Sequence, residues 1–279
     1  IKQKTEIVEE ILKGAIDLHV HCEPDPENSL RMDGLDTARY AHEAEMAGFV
    51  LKSHYYLTTP VAKILMRAYP GLKVFGSITL NKEIGGLNPD AVESSALIGT
   101  KVIWMPTFSA KNHADLNGNR SGLQLSSEGK LDQHVYDILE IAKQFDMVIA
   151  SGHVSPSETL ILFKAANQLG ISRLIATHPT HWATFDQLVE MSSLGAYIEH
   201  TFLSCMPSRN RTNPNEMVDL INKLGVKRSI VTSDFGQWMN PSPAEGMRMA
   251  IAELMNSGLS PEQITSLVKS NPRTLLEVS

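Results

Sequence analysis

The sequence predicts a single-domain α/β protein, a (β/α)8 TIM barrel spanning residues 1–279. Two patterns carry that prediction. Short apolar runs of buried-strand type alternate with longer stretches of helical spacing, the signature of a parallel sheet. The alternation repeats eight times, and eight strand–helix repeats close a barrel. A third observation weighs against the main competitor. An open doubly wound sheet would carry Gly-x-Gly-x-x-Gly after its first strand, and none is there.

The expected strands are 15–21, 48–52, 72–80, 101–105, 147–151, 173–177, 196–199 and 229–233. Between the first two, Leu35, Ala38, Ala41 and His42 recur at helical spacing. Val61, Ile64, Leu65 and Ala68 do so after the second. Val135, Ile138, Leu139 and Ala142 mark a later helix, and Leu188, Val189 and Met191 another. Gly48, Gly170, Gly195 and Gly225 each stand between a helical stretch and the next strand, where a helix-ending glycine belongs. Residues 106–130, rich in Asn, Ser and Gly, read as one long irregular loop after strand four, the kind that is often functional. The tail, 260–279, opens on the cap pattern Ser260-Pro261-Glu262 and reads as closing helices.

Composition excludes several classes. The formal net charge of −6 leaves no basic excess to neutralise phosphates, so nucleic acid is not an expected partner. No apolar run approaches the ~20 residues that cross a bilayer, and the first residues lack a signal-peptide core. Two cysteines, Cys22 and Cys205, are too few for a disulfide framework, so a reducing cytoplasmic setting is expected. Each reads as a small buried thiol, with Cys22 placed so that it could approach a metal. The expected partner is a small-molecule substrate, with no membrane and with self-association into a homo-oligomer left open.

The chemistry starts at Asp17-Leu18-His19-Val20-His21. Histidines at i and i+2 of a strand project to one face, about 7 Å apart along it, close enough to share one divalent ion. Further polar residues end later strands. Lys52 and His54 end the second, again at i, i+2. His153 ends the fifth and His178 the sixth, with His181 just beyond. Glu199 and His200 end the seventh, and Asp234 the eighth. In a barrel these carboxyl ends converge on one mouth. Neutral imidazoles with a carboxylate suit Zn2+ or another divalent ion such as Mn2+, Fe2+ or Ni2+.

This set resembles the amidohydrolase superfamily of metal-dependent hydrolases. The resemblance rests on His-x-His in strand one, histidines after strands five and six, and Asp after strand eight. It spans most of the chain, including the tail Asn271-Pro272-Arg273-Thr274-Leu275-Leu276. It implies that His19 and His21 bind one metal with Asp234 beside them, and that His153 and His178 bind a second. Asp234 would also accept the proton of the attacking water. Two-metal members usually carry a carboxylated Lys, or a Glu, at the end of strand four. Here that end is Ile103-Trp104-Met105-Pro106-Thr107, and Lys101 lies at the strand's amino end. Lys52, carbamylated by carbon dioxide, is the candidate substitute bridge; contact with an anionic substrate is its other reading.

The implied function is hydrolysis of an amide, cyclic amide, lactone or ester carbonyl by metal-activated water. The alternatives are a one-metal decarboxylase or lyase on the same barrel, and a non-catalytic ligand-binding barrel. His54, His181 and His200 are candidate substrate contacts. Arg209 and Arg211 are candidate carboxylate clamps, though loop arginines are commonly just solvated. Asp234 has a second reading as a helix cap. His42 and His134 lie in helical stretches and read as solvated. His113, in the long loop, reaches the site if that loop folds over it.

Overall fold

A computed structural model describes residues 2–118 and 121–277. Parts of the sequence reading therefore lie outside the described residues: the first and last positions of 1–279, the centre of the 106–130 loop, and the end of the 260–279 tail. The strands, in chain order, are β1 Ile16–Val20, β2 Gly48–Leu51, β3 Lys73–Phe75, β4 Ser77–Thr79 and β5 Val102–Trp104. A short pair follows, β6 Ser126–Ser127 and β7 Lys130–Leu131. Then come β8 Val148–Ala150, β9 Leu174–Ala176, β10 Tyr197–Thr201 and β11 Ser229–Thr232. Helices separate most of the principal strands, β3 and β4 being parted by Gly76 alone, and the pairings among them are parallel.

Chain packing divides the molecule into two compact units. The first comprises residues 1–52, 61–75 and 200–279. Its strands β1, β2 and β3 pair in that order. Beyond β11 the chain runs on beside β1, where Val20 and Phe235 form a parallel bridge. Its core is built from Leu12, Val20, Phe49, Leu51, Met247 and Leu254, among others. The second unit comprises residues 53–60 and 76–199. Its parallel order is β4, β5, β8, β9, then the first residues of β10. Ile78, Ile103, Val148 and Ile175 are buried there. These strands are buried on both faces, which is why they read as apolar runs and not as alternations.

Several helices begin where local chemistry dictates. Ser155, Thr184, Asn213 and Ser260 each accept from the backbone N–H three residues on. The Glu or Gln at that position returns the bond to the cap's own N–H, satisfying two otherwise orphaned donors. Proline occupies the first turn of the helices Pro156–Gln168, Pro214–Leu224 and Pro261–Thr265, where its missing N–H costs nothing. The described part of the tail holds the helices Pro261–Thr265 and Asn271–Leu276, joined by a π-helical turn over Ser266–Ser270.

Three expectations need correction. The single strand 72–80 is two, β3 and β4, broken at Gly76. A Cβ there would lie 2.3 Å from Thr59 Oγ1 and 2.4 Å from Thr59 Cα, so the backbone passes against that helix start. Gly48 does not end a helix. It lies in β2, where a Cβ would meet the Lys73 carbonyl oxygen at 2.1 Å, and Glu45 takes the left-handed position at φ 53°. Gly170, Gly195 and Gly225 do follow helices at positive φ. Finally, the described part of 106–130 is not irregular throughout: it holds the helix Lys111–Leu116 and the strand pairing of β6 with β7.

Candidate metal centre

In the first unit, β1 and the turn after β11 bring three donors together. His21 lies just past β1, and the rings of His19 and His21 sit 5.2 Å apart. The backbone locks the neighbouring turn onto this strand. Asp234 N–H donates to His19 O at 3.0 Å, and His21 N–H donates to Phe235 O at 2.8 Å. Gly236 makes the approach possible, since a Cβ there would fall 2.5 Å from His21 Cβ. Asp234 itself holds φ 57°, a left-handed conformation that Asp tolerates better than most residues. Its Oδ1 lies 3.2 Å from His19 Nε2 and 3.4 Å from His21 Nε2.

These donors fit a divalent ion. One ligand atom from each of the three residues lies within 4.8 Å of the others. Bonds of ~2.0–2.1 Å in tetrahedral geometry put neighbouring ligand atoms about 3.3 Å apart, close to the two Asp234 distances. Burial lowers the His21 imidazole to about 4, against the opposing pull of Asp234, so it is neutral at pH 7, as a ligand must be.

Lys52 joins this group. Its side chain is almost fully buried, and Nζ lies 3.0 Å from His19 Nε2. Lys52 N–H donates to Val20 O at 2.8 Å, which continues the β1–β2 pairing and holds the residue in place. The expected pairing of Lys52 with His54 on one strand face is not formed as read. β2 ends at Leu51, so strand alternation does not extend to His54.

The sequence reading passed over Asp17, two residues before His19 and fully buried. Its Oδ1 accepts from Ser233 N–H at 3.0 Å and from His19 N–H at 3.2 Å, and its other oxygen takes the Ser233 hydroxyl. Asp17 thus fixes the residue next to Asp234 and the backbone of His19 at once. Burial pushes its carboxyl up to about 7, against these bonds. Its signal was in the strand, since Asp17, His19 and His21 share one parity. Groups that orient ligands are commonly worth 10–100-fold in metal affinity. Asp17→Asn keeps the shape but puts an amide donor among donors. The expected result is a folded chain whose divalent-ion affinity falls by ~10–100-fold, read by equilibrium dialysis. Unchanged affinity would remove Asp17 from this role.

In the second unit, the other candidates gather around aromatic rings. His153 follows β8, and His178 follows β9 at φ 27°. Their rings lie 5.0 Å apart. His181 stacks on His178 at 4.6 Å, and Trp182, unanticipated from sequence, lies 5.4 Å from His178 and 5.5 Å from His153. His54 Nδ1 pairs with the Thr107 hydroxyl at 2.8 Å, and its ring stacks on Phe108 at 4.0 Å. Glu199 Oε2 accepts from the His178 N–H at 3.0 Å. The Gly152 φ of 62°, and the 2.2 Å at which a Cβ would meet Met105 O, confine that position to glycine and set the turn before His153.

The remaining candidates stand elsewhere. His200 is buried within β10, and its Nε2 pairs with Ser229 Oγ at 3.4 Å, at the start of β11. Strand alternation sends it to the face opposite Glu199. Arg209 and Arg211 are exposed. Lys101 pairs with Asp146, far along the strand from its carboxyl end as read. Cys22 is buried in the apolar core, and burial pushes the half-buried Cys205 thiol up to about 12.

His200 makes a pH prediction. Burial lowers it to about 4, whereas the unfolded chain titrates near ~6.5. Its contribution to stability is therefore full above ~6.5 and is lost as pH falls toward about 4. Asp17, raised to about 7, acts in the opposite sense: its contribution is present at low pH and lost as pH rises through about 7. In urea unfolding, His200→Gln should remove about 2 kcal/mol of acid-side loss between pH 7 and pH 5. An unaltered pH profile in the variant would contradict this assignment.

Solved structures with a similar fold include the following. An amidohydrolase from Pseudomonas aeruginosa superposes with TM-score 0.69 at 9% identity, covering 98% of each chain. The probable dipeptidase PvdM from Pseudomonas aeruginosa gives 0.69 at 12% identity, covering 99% of this chain and 98% of its own. A phosphotriesterase homology protein from Escherichia coli, complexed with phosphate in its active site, gives 0.65 at 14%, covering 94% and 98%. At these identities the likeness is one of fold alone, an α/β fold with parallel strand pairing. No curated protein matches the sequence. A family model described as "Family of unknown function (DUF6282)" matches residues 14–199, more than half of the sequence, and the chain belongs to that family.

Proposed function

We propose that this protein is a metal-dependent hydrolase acting on an amide, cyclic amide, lactone or ester carbonyl of a small molecule. The observation that carries the reading is the His19–His21–Asp234 cluster, with its donors at ligand spacing. The fold of amidohydrolases, a dipeptidase and a phosphotriesterase homologue supports hydrolysis as the class. Zn2+ is the proposed ion, since two imidazoles and a carboxylate match its preferred ligands. When bound, such an ion polarises a carbonyl oxygen and acidifies water.

The chain's own residues divide the remaining work. His19 and His21 would hold the ion, and Asp17 fixes the His19 backbone and Ser233 beside Asp234. Asp234 takes the proton of the attacking water and returns it to the leaving group. Lys52, with Nζ against His19, serves either as a carbamylated ligand or as an anion contact. His153 and His178 are proposed to hold an ion in the second unit. His54 and His181, beside them, are proposed substrate contacts. His200, bonded to Ser229, and the exposed Arg209 and Arg211 have weaker support for that role.

The chain is further proposed to act as one domain over 1–279, in the cytoplasm. Among the described residues neither cysteine forms a disulfide, which suits a reducing compartment, and no helix is long and apolar enough to cross a membrane. The test is a substrate panel. Metal-free protein is reloaded with Zn2+ or Mn2+ and offered esters, lactones, dipeptides, cyclic amides and a phosphotriester. Turnover that needs the ion, falls with chelator and returns on reloading is expected for one carbonyl class. A fully loaded protein inert toward the whole panel would count against the proposal.

A further inference from the structure

The loop after β5 carries a histidine to the second unit's candidate site. The helix Lys111–Leu116 places His113 so that its Nδ1 lies 3.2 Å from His153 Nδ1. The two rings are nearly parallel, with centroids 5.1 Å apart and 27° between planes. The contact is built, not incidental. Asn112, the preceding residue, donates from Nδ2 to His153 O at 3.1 Å. The helix start is tied down by Lys111 N–H donating to Leu123 O at 2.8 Å and by Leu123 N–H donating to Ser109 O at 2.7 Å. Asn81 Oδ1 then accepts from Thr107 and Ser109 N–H at 2.8 and 3.2 Å.

Two neutral imidazole nitrogens at this spacing can do one of two things. They can share a single proton, or they can clamp one ion. A tetrahedral site with ~2.0–2.1 Å bonds has ligand edges of about 3.3 Å, so the 3.2 Å separation already matches a clamp. Imidazoles also continue past His153 to His178 and then to His181, at centroid distances of 5.0 and 4.6 Å.

We infer that His113 is a metal ligand of the second unit, clamping a divalent ion together with His153, with His178 as the next donor. The inference rests on the proposed function above, and it adds a ligand from the loop that follows β5. Among the described residues the ready three-donor cluster is His19–His21–Asp234. In the second unit His113 and His153 already stand at clamp spacing, with the His178 ring 5.0 Å from that of His153.

Cobalt(II) is the probe, because its visible bands report ligand number and type. Metal-free full-length protein is titrated with Co2+ and followed by equilibrium dialysis and absorption. Wild type should take up two ions with distinct affinities. His113→Ala should weaken the second uptake by tenfold or more and shift its bands, with the first unchanged. His113→Asn provides the same comparison with a polar residue retained, and circular dichroism confirms that both variants fold. His19→Ala with His21→Ala should keep the His113-dependent ion alone. If His113 only shares a proton with His153, both His113 variants will bind Co2+ with wild-type stoichiometry, affinity and bands, and the inference fails while the first site stands. If the His19/His21 variant instead keeps both ions, the proposed function loses its basis.

Discussion

Replacing His19 and His21 together by alanine is expected to strip the first-site ion and abolish hydrolysis, with the fold retained. Each imidazole supplies one of the three donors clustered among the described residues, and Asp234 alone cannot hold a transition ion against water. Both side chains are buried, so the substitution also leaves space. A catalytic ion that binds the native state also stabilises it by mass action, so wild type should melt higher with added Zn2+ and the double variant should not gain from this site. Elemental analysis decides the matter: metal content equal to wild type would overturn the assignment.

Asp234→Asn should leave the ion largely bound and lower turnover by ~10²–10⁴, the usual worth of a positioned acid–base group. The substitution is close to isosteric, and Asn tolerates a left-handed backbone, so the φ of 57° is kept without new cost. What is lost is the capacity to take a proton. An ion beside the carboxylate favours its charged form, so the acid limb of the rate profile is expected to report ionisation of water and not of Asp234. Near-normal kcat in the variant would transfer the base role elsewhere, with Glu199 next to test.

The sequence made the first site legible because its chemistry is local. His19 and His21 are neighbours on one strand face, and a strand's parity is readable without knowing the fold. Asp234 was legible through the eightfold alternation, which located a strand end. Lys52 followed from the same logic. What stayed hidden depended on distant chain. Asp17 reads as an ordinary strand residue until Ser233 arrives to bond it. Phe108 is a plain aromatic until His54 stacks on it, and Trp182 until His153 and His178 pack at a tilt against it. His200 looked like its neighbour Glu199, but alternation sends adjacent residues to opposite faces, and it ended against Ser229. Residues 72–80 looked continuous because a glycine within an apolar run does not announce that a helix start lies 2.3 Å from its missing Cβ.

His178 and Asp234 share a property that bears on how this protein changes over generations. Both hold positive φ, at 27° and 57°, in conformations that cost about 1–3 kcal/mol for a residue with a side chain. Glycine would adopt either at no such cost. A lineage selected only for thermal robustness would therefore drift toward glycine at these two positions, and a redesign scored on melting temperature would choose the same replacements. A histidine and an aspartate at these positions are expected to serve ion uptake at the expense of melting temperature. Deep mutational scanning scored separately for abundance and for ion uptake would display that pressure as opposite rankings at positions 178 and 234.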